Sequence, residues 1–122
     1  MIHGVVNSHR EAVISITAYD AHSKVNRFDA VVDTGFDGSL SLPPTLIAHL
    51  GLVWDHIGSA ILADGSQITF NVYRGTVAWD GTDVNLFVDE ADSPPLVGME
   101  LIEGIELTIQ AVDGGAVTIA RL

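Results

Sequence analysis

The sequence contains no cysteine, and its five Lys and Arg residues face sixteen Asp and Glu residues. The absence of cysteine excludes disulfides, thiol catalysis and thiolate metal sites. The formal net charge of −11 repels phosphate backbones, so we expect no nucleic-acid partner. No apolar run reaches the roughly 18 residues of a membrane-spanning helix, and the first residues lack the apolar stretch of a secretory signal. We therefore expect a cytoplasmic protein with no membrane partner.

Histidine is also too scattered to suggest a metal site. The five His residues stand at positions 3, 9, 22, 49 and 56, and no two of them have the spacing of a helical ligand pair. We expect neither a metal nor another cofactor. With 122 residues and no linker or low-complexity segment, the chain is predicted to be one domain over residues 1–122.

Alternating apolar residues and turn signals at short intervals indicate a mostly β protein. From Ala12 to Ala18 every second residue is apolar, as in a strand with one buried face. Three Asp-Gly pairs, at 64–65, 80–81 and 113–114, favour hairpins because Gly adopts positive φ readily. The pattern predicts seven strands, over residues 11–19, 25–32, 57–63, 67–79, 83–89, 105–112 and 116–121.

Two short segments have helical rather than strand character. Residues 44–50 begin with Pro44, place Leu46, Ile47 and Leu50 on one face, and end at Gly51. Residues 99–103 predict one or two further turns. The expected fold is therefore a closed β-barrel or sandwich with one or two short helices.

The triplet Asp33-Thr34-Gly35 follows the apolar run 30–32 directly, and it is the strongest functional signal in the chain. An ionised Asp at the end of a buried strand costs several kcal/mol unless hydrogen-bond donors or a shared proton compensate. Gly35 allows the backbone to turn tightly beside the carboxylate. The run continues through Phe36 and Asp37, which could line a cleft or simply pack and turn.

A calcium-binding loop is the competing interpretation of residues 33–38, because Asp occupies positions 1 and 5 and Gly position 6. An EF-hand also needs Asp or Asn at position 3 and Glu at position 12. The chain has Gly35 and Pro44 there, and a strand instead of a helix precedes the loop. The calcium interpretation is rejected.

The apolar pair before Asp33-Thr34-Gly35, together with the later element Leu96-Val97-Gly98 before a short helix, resembles the retropepsin-like aspartic proteases. The resemblance is strongest to short bacterial single-domain members, in which a Phe follows the Gly of the triplet. It extends from about residue 13 to the C-terminus. It implies a closed β fold with a hairpin flap. The flap tip would be Asp64, Gly65 and Ser66, and Phe36 and Asp37 would lie near the substrate.

A single triplet has a further implication, because these enzymes activate water between two carboxylates that share a proton. The resemblance therefore implies a two-fold homodimer in which each chain supplies Asp33, Thr34 and Gly35. Thr34 would hold the two loops together across the axis. The apolar strands 105–112 and 116–121 are expected to form much of the interface, and the flap segment 57–77 is expected to be mobile.

Two functional hypotheses follow from these residues. The first is a homodimeric aspartic endopeptidase that hydrolyses peptide bonds of a peptide or protein substrate. The alternative is a non-catalytic homodimeric β-domain that binds peptides or partners and has kept the loop for folding.

Overall fold

The computed structural model describes residues 1–122 as ten strands and two short helices. The elements in chain order are β1 (Ile2–Val6), β2 (Ala12–Tyr19), β3 (Val25–Val32), β4 (Leu40–Leu42), α1 (Pro44–Leu50), β5 (Val53–Ile61), β6 (Gln67–Trp79), β7 (Thr82–Glu90), β8 (Leu96–Val97), α2 (Met99–Ile102), β9 (Ile105–Ile109) and β10 (Ala116–Arg121). The predicted mostly β character and the two predicted helices are confirmed.

The strands form one sheet that closes on itself. Its order is β5-β6-β7-β4-β8-β3-β2-β1-β10-β9, and an additional pairing joins β6 to β2. That pairing, between Thr17 and Ala78 and between Ala18 and Val77, closes six of the strands into a ring. The other half of β2 pairs with β1. The strands β1, β10 and β9 therefore extend the sheet beyond the ring. Closure removes the free edges that β2 and β6 would otherwise present to each other, whereas β5 and β9 remain edge strands of the sheet.

The ring encloses an apolar core supplied by one face of each strand. The alternation predicted for β2 is confirmed, because Ala12, Ile14, Ile16 and Ala18 are all buried. Nineteen buried residues form one continuous cluster, which includes Leu40, Val97 and Ile119 from other strands. Burying these side chains is the main favourable term for the fold.

Three strands were not predicted from the sequence. They are β1, β4 and β8, and the last two are only three and two residues long. Such short strands have too few residues to show a period, and they are defined by their partners on either side. β4 lies between β7 and β8, and β8 lies between β3 and β4.

The strand predicted over residues 105–112 ends early, at Ile109. Residues 110–115 turn away from β9 to meet the end of β1, where the amide of Gly114 donates to the carbonyl of Val6. The amide of Val6 donates in return to the carbonyl of Gly115. The Asp113-Gly114 pair therefore lies in a wider loop than a two-residue hairpin turn.

α1 covers the predicted residues 44–50, and α2 begins at Met99 as predicted but ends at Ile102, one residue before the predicted end. α1 starts at Pro44 and ends at Gly51, whose φ of 63° lies in the left-handed region that favours glycine. Its buried side chains are Ile47 and Leu50. Neither helix has the length and the apolar character that crossing a membrane requires.

Candidate functional site

Asp33 is the first residue after β3, and it is half-buried. Its amide donates to the carbonyl of Val97 at 2.8 Å, which fixes the end of β3 against β8. Its Oδ1 accepts the amide of Gly35 at 2.9 Å. The tight turn at Gly35 therefore places a backbone donor against one oxygen of the carboxylate.

The loop 33–38 lies on the segment that joins β8 to α2. The amides of Gly98, Met99 and Glu100 donate to the carbonyls of Ser39, Phe36 and Gly38, at 3.0, 2.8 and 3.1 Å. A Cβ atom on Gly98 would lie 2.1 Å from the oxygen of Gly38, so only glycine allows this approach. The two sequence elements that carried the family resemblance are in direct contact.

The other predicted residues of the loop have different environments. Thr34 and Asp37 are exposed, and the Thr34 hydroxyl makes no hydrogen bond within the chain. The Phe36 ring is half-buried against Gly38 and Gly98, where an added Cβ would lie 2.7 and 2.6 Å from ring atoms. Phe36 is therefore a packing residue of the loop in the single chain.

A groove of about 800 Å³ opens beside the Asp33 carboxylate. Its lining includes Asp33, Thr34 and Leu96, together with Ile109 at the end of β9 and Val112 in the β9–β10 loop. Ile109 is 42% and Val112 is 65% exposed. An acid, a free hydroxyl and two exposed apolar side chains thus lie around one open surface.

The β5–β6 hairpin extends beyond the ring as a two-stranded ribbon. Its predicted tip residues, Asp64, Gly65 and Ser66, form the turn between the strands, and Gly65 has a φ of 85°. A Cβ atom on Gly65 would meet nothing within 4 Å. Ile57 and Ile61 on β5 are 57% and 78% exposed, so the ribbon makes few buried contacts in the single chain.

The tip is held by its own side chains and not by the loop 33–38. The amide and hydroxyl of Ser66 donate to Asp64 Oδ1 at 2.9 and 2.6 Å. These two bonds, the hydroxyl first, lower the pKa of Asp64. No hydrogen bond or ion pair joins residues 64–66 to Asp33, and they do not line its groove. One chain therefore does not bring the two predicted parts of the site together.

Asp89, at the end of β7, is a neighbour of the loop that the sequence analysis missed. It is half-buried, and its Oδ2 would lie 3.3 Å from a Cβ atom on Gly38. Burial, and then the nearby charges of Asp37 and Glu100, raise the pKa of Asp89. Asp89 follows the apolar run 86–88 directly, which is the same signal that drew attention to Asp33.

A larger cavity, of about 970 Å³, lies elsewhere on the barrel and contains none of residues 33–38. Its lining includes Arg74, Phe87, Glu100 and Arg121. Its lining also includes the carboxylates of Asp80 and Glu103, and Asp80 is paired with Arg121 and with the amino terminus. The size of this cavity alone gives it no chemistry. The groove beside Asp33 is the better candidate site.

No family model, curated protein or solved structure matches this chain.

Proposed function

We propose that the chain is one half of a homodimeric aspartic endopeptidase. The observation that carries this proposal is the geometry of Asp33. Asp33 is half-buried at the end of a core strand, and its carboxylate accepts the amide of Gly35 and opens into a groove. One such carboxylate cannot act as base and acid together, so the proposed mechanism needs a second copy of Asp33.

The groove supports the association of two chains. The exposed apolar side chains of Ile109 and Val112 line the same groove as Asp33, and β9 has a neighbour on one side only. An unpaired edge strand and exposed apolar side chains favour pairing with another chain. The C-terminal strands thus remain our proposed interface, with the β9–β10 loop as its part nearest to Asp33.

In the proposed dimer, a water molecule lies between the two Asp33 carboxylates. The ionised carboxylate takes a proton from the water, which attacks the carbonyl carbon of the peptide bond, while the protonated partner donates its proton to the carbonyl oxygen. In the resulting tetrahedral intermediate, the first carboxyl group donates its proton to the amide nitrogen and the C–N bond breaks. The second carboxylate takes back a proton from a hydroxyl of the intermediate, which leaves a carboxylic acid and an amine as products. The Gly35 amide keeps the charged oxygen in place. The substrate would lie extended under the β5–β6 hairpin and add strand-like hydrogen bonds.

Cleavage of a peptide library by the wild-type protein and by Asp33→Asn tests this function. Asp33→Asn keeps the shape of the side chain and removes its charge, so we expect cleavage to be lost while sedimentation still shows a dimer. Asp29→Asn is the matched control, because Asp29 lies exposed on the same strand, and it should cleave normally.

The pH profile separates the enzyme from the alternative binding domain. Two carboxylates that share one proton give a bell-shaped activity profile with its maximum on the acid side of neutrality. A peptide-binding β-domain would bind with little pH dependence and would tolerate Asp33→Asn. Cleavage that survives in Asp33→Asn, or a protein that stays monomeric at micromolar concentration, would contradict the proposed function.

A further inference from the structure

The β5–β6 hairpin leaves the barrel at a definite point, where three strands become two. β6 pairs with β7 as far as Val72, which lies opposite Asp89. From Asn71 to Gln67, β6 has only β5 as a partner. An isolated two-stranded ribbon is marginally stable, so the contacts made where β7 ends decide how firmly the ribbon is attached to the barrel.

A chain of side-chain hydrogen bonds crosses all three strands at that point. Asn71 Nδ2 donates to Glu90 Oε2 at 3.0 Å, and the Tyr73 hydroxyl donates to Glu90 Oε1 at 3.4 Å. Trp54 Nε1 on β5 donates to Asn71 Oδ1 at 3.1 Å. Both oxygens of one carboxylate on β7 therefore bind β6, and β6 in turn binds β5.

The strand register places these side chains on one face. Asn71 and Tyr73 are two residues apart on β6, and Trp54 lies directly opposite Tyr73. Tyr73 pairs with Val88, two residues before Glu90, so Glu90 is on that face as well. Burial, followed by the charge of Glu90 and its hydrogen bond, raises the pKa of Tyr73.

Glu90 also connects this face to the segment that supports Asp33. It is the last residue of β7 and lies opposite Leu42 of β4. The chain then passes through residues 91–95 to β8, whose Val97 carbonyl accepts the Asp33 amide. Residues 91–95 thus join Glu90, at the root of the β5–β6 hairpin, to β8, which supports the loop 33–38.

We propose that Glu90 is the positioning residue that fixes the root of the β5–β6 hairpin to the barrel through Asn71, Tyr73 and Trp54. Motion of the hairpin is then confined to the ribbon beyond Ile57 and Asn71. The catalytic consequence rests on the proposed function, in which this hairpin covers the substrate. The restraint of hairpin motion by Glu90 does not depend on the endopeptidase function, and it can be measured without any substrate.

Amide hydrogen exchange in the wild-type protein, Glu90→Ala and Glu90→Gln tests the proposal. Hydrogen bonds to a charged group are stronger than neutral ones, so Glu90→Ala should raise exchange in residues 57–71 about tenfold. Exchange in residues 76–87 should stay unchanged. Glu90→Gln should fall between the two, because its amide oxygen can still accept one of the bonds.

Asn85→Ala is the matched control. It removes the hydrogen bond from Thr76 Oγ1 to Asn85 Oδ1, 2.8 Å long, which joins the same two strands away from the root. It should leave exchange in residues 57–71 unchanged. Equal increases in Glu90→Ala and Asn85→Ala, or no increase in Glu90→Ala, would overturn the proposal.

Two milder variants keep the test decisive if Glu90→Ala unfolds. Trp54→Phe and Tyr73→Phe each remove one donor and retain an aromatic ring. Each should raise exchange in residues 57–71 by a smaller factor than Glu90→Ala. If neither variant raises exchange there, the proposal is overturned. Absence of cleavage by the wild-type protein would instead contradict the endopeptidase function and leave these exchange results unaffected.

Discussion

Gly98→Ala tests the contact between the two motifs of the candidate site. Gly98 has a φ of −107° and a ψ of 178°, an extended conformation that alanine adopts without strain. Any loss of stability in Gly98→Ala must therefore come from contacts of the added methyl group. The added Cβ would lie 2.1 Å from the oxygen of Gly38 and 2.7 Å from the oxygen of Phe36.

The size of the expected stability loss follows from the hydrogen bonds that these two oxygens accept. They accept the amides of Glu100 and Met99, so moving them away from the new methyl group stretches two backbone hydrogen bonds. Overpacking costs about 1–3 kcal/mol and each lost hydrogen bond about 1 kcal/mol, so we expect a loss of about 3–5 kcal/mol. That is a large part of the roughly 5–15 kcal/mol by which a small domain is stable.

Urea unfolding followed by the fluorescence of buried Trp79 measures this loss, and Gly104→Ala is the control. Gly104 has a φ of 83° but nothing within 4 Å of an added Cβ, so its substitution costs only about 1–2 kcal/mol of backbone strain. Gly98→Ala should be the more damaging change. If Gly98→Ala unfolds at the same urea concentration as Gly104→Ala, the close-contact argument is wrong.

Three further predictions concern the core, Asp89 and Tyr73. Leu40→Ala should lose about 2–5 kcal/mol in urea unfolding because Leu40 is fully buried, whereas exposed Val5→Ala should lose less than about 0.5 kcal/mol. The raised pKa of Asp89 contributes stability that is present below the ordinary Asp value and is lost as pH rises. Thermal melts should therefore show Asp89→Asn more stable than the wild type at pH 7, with the difference vanishing in acid; equal melts at both pH values would refute this. The pKa of Tyr73 should fall toward its ordinary value in Glu90→Gln, which ultraviolet titration of the phenol can follow, and an unchanged titration would contradict the assigned cause.

The elements that could be predicted from the sequence are those whose signal is local. β2 shows its alternation within eight residues, α1 carries both its Pro start and its Gly end, and the Asp64-Gly65 pair marks its hairpin. Asp33 could be identified for the same reason, because an acid directly after an apolar strand is visible in the sequence alone. Its hydrogen bond to the Gly35 amide spans only two residues.

The remaining features depend on residues that are distant in the sequence. β4 and β8 exist only because neighbouring strands hydrogen-bond to them on both sides, and the closure of the ring needs β2 to meet β6. The contact of Gly98 with Gly38 and the bond of Asn71 to Glu90 join residues far apart along the chain. No local pattern encodes such pairs, because their geometry is set by how the strands pack. The sequence by itself therefore determined that an acid, Asp33, follows an apolar strand. Only the tertiary structure decided that β8 and the start of α2 support its loop, because those contacts join residues that are distant along the chain.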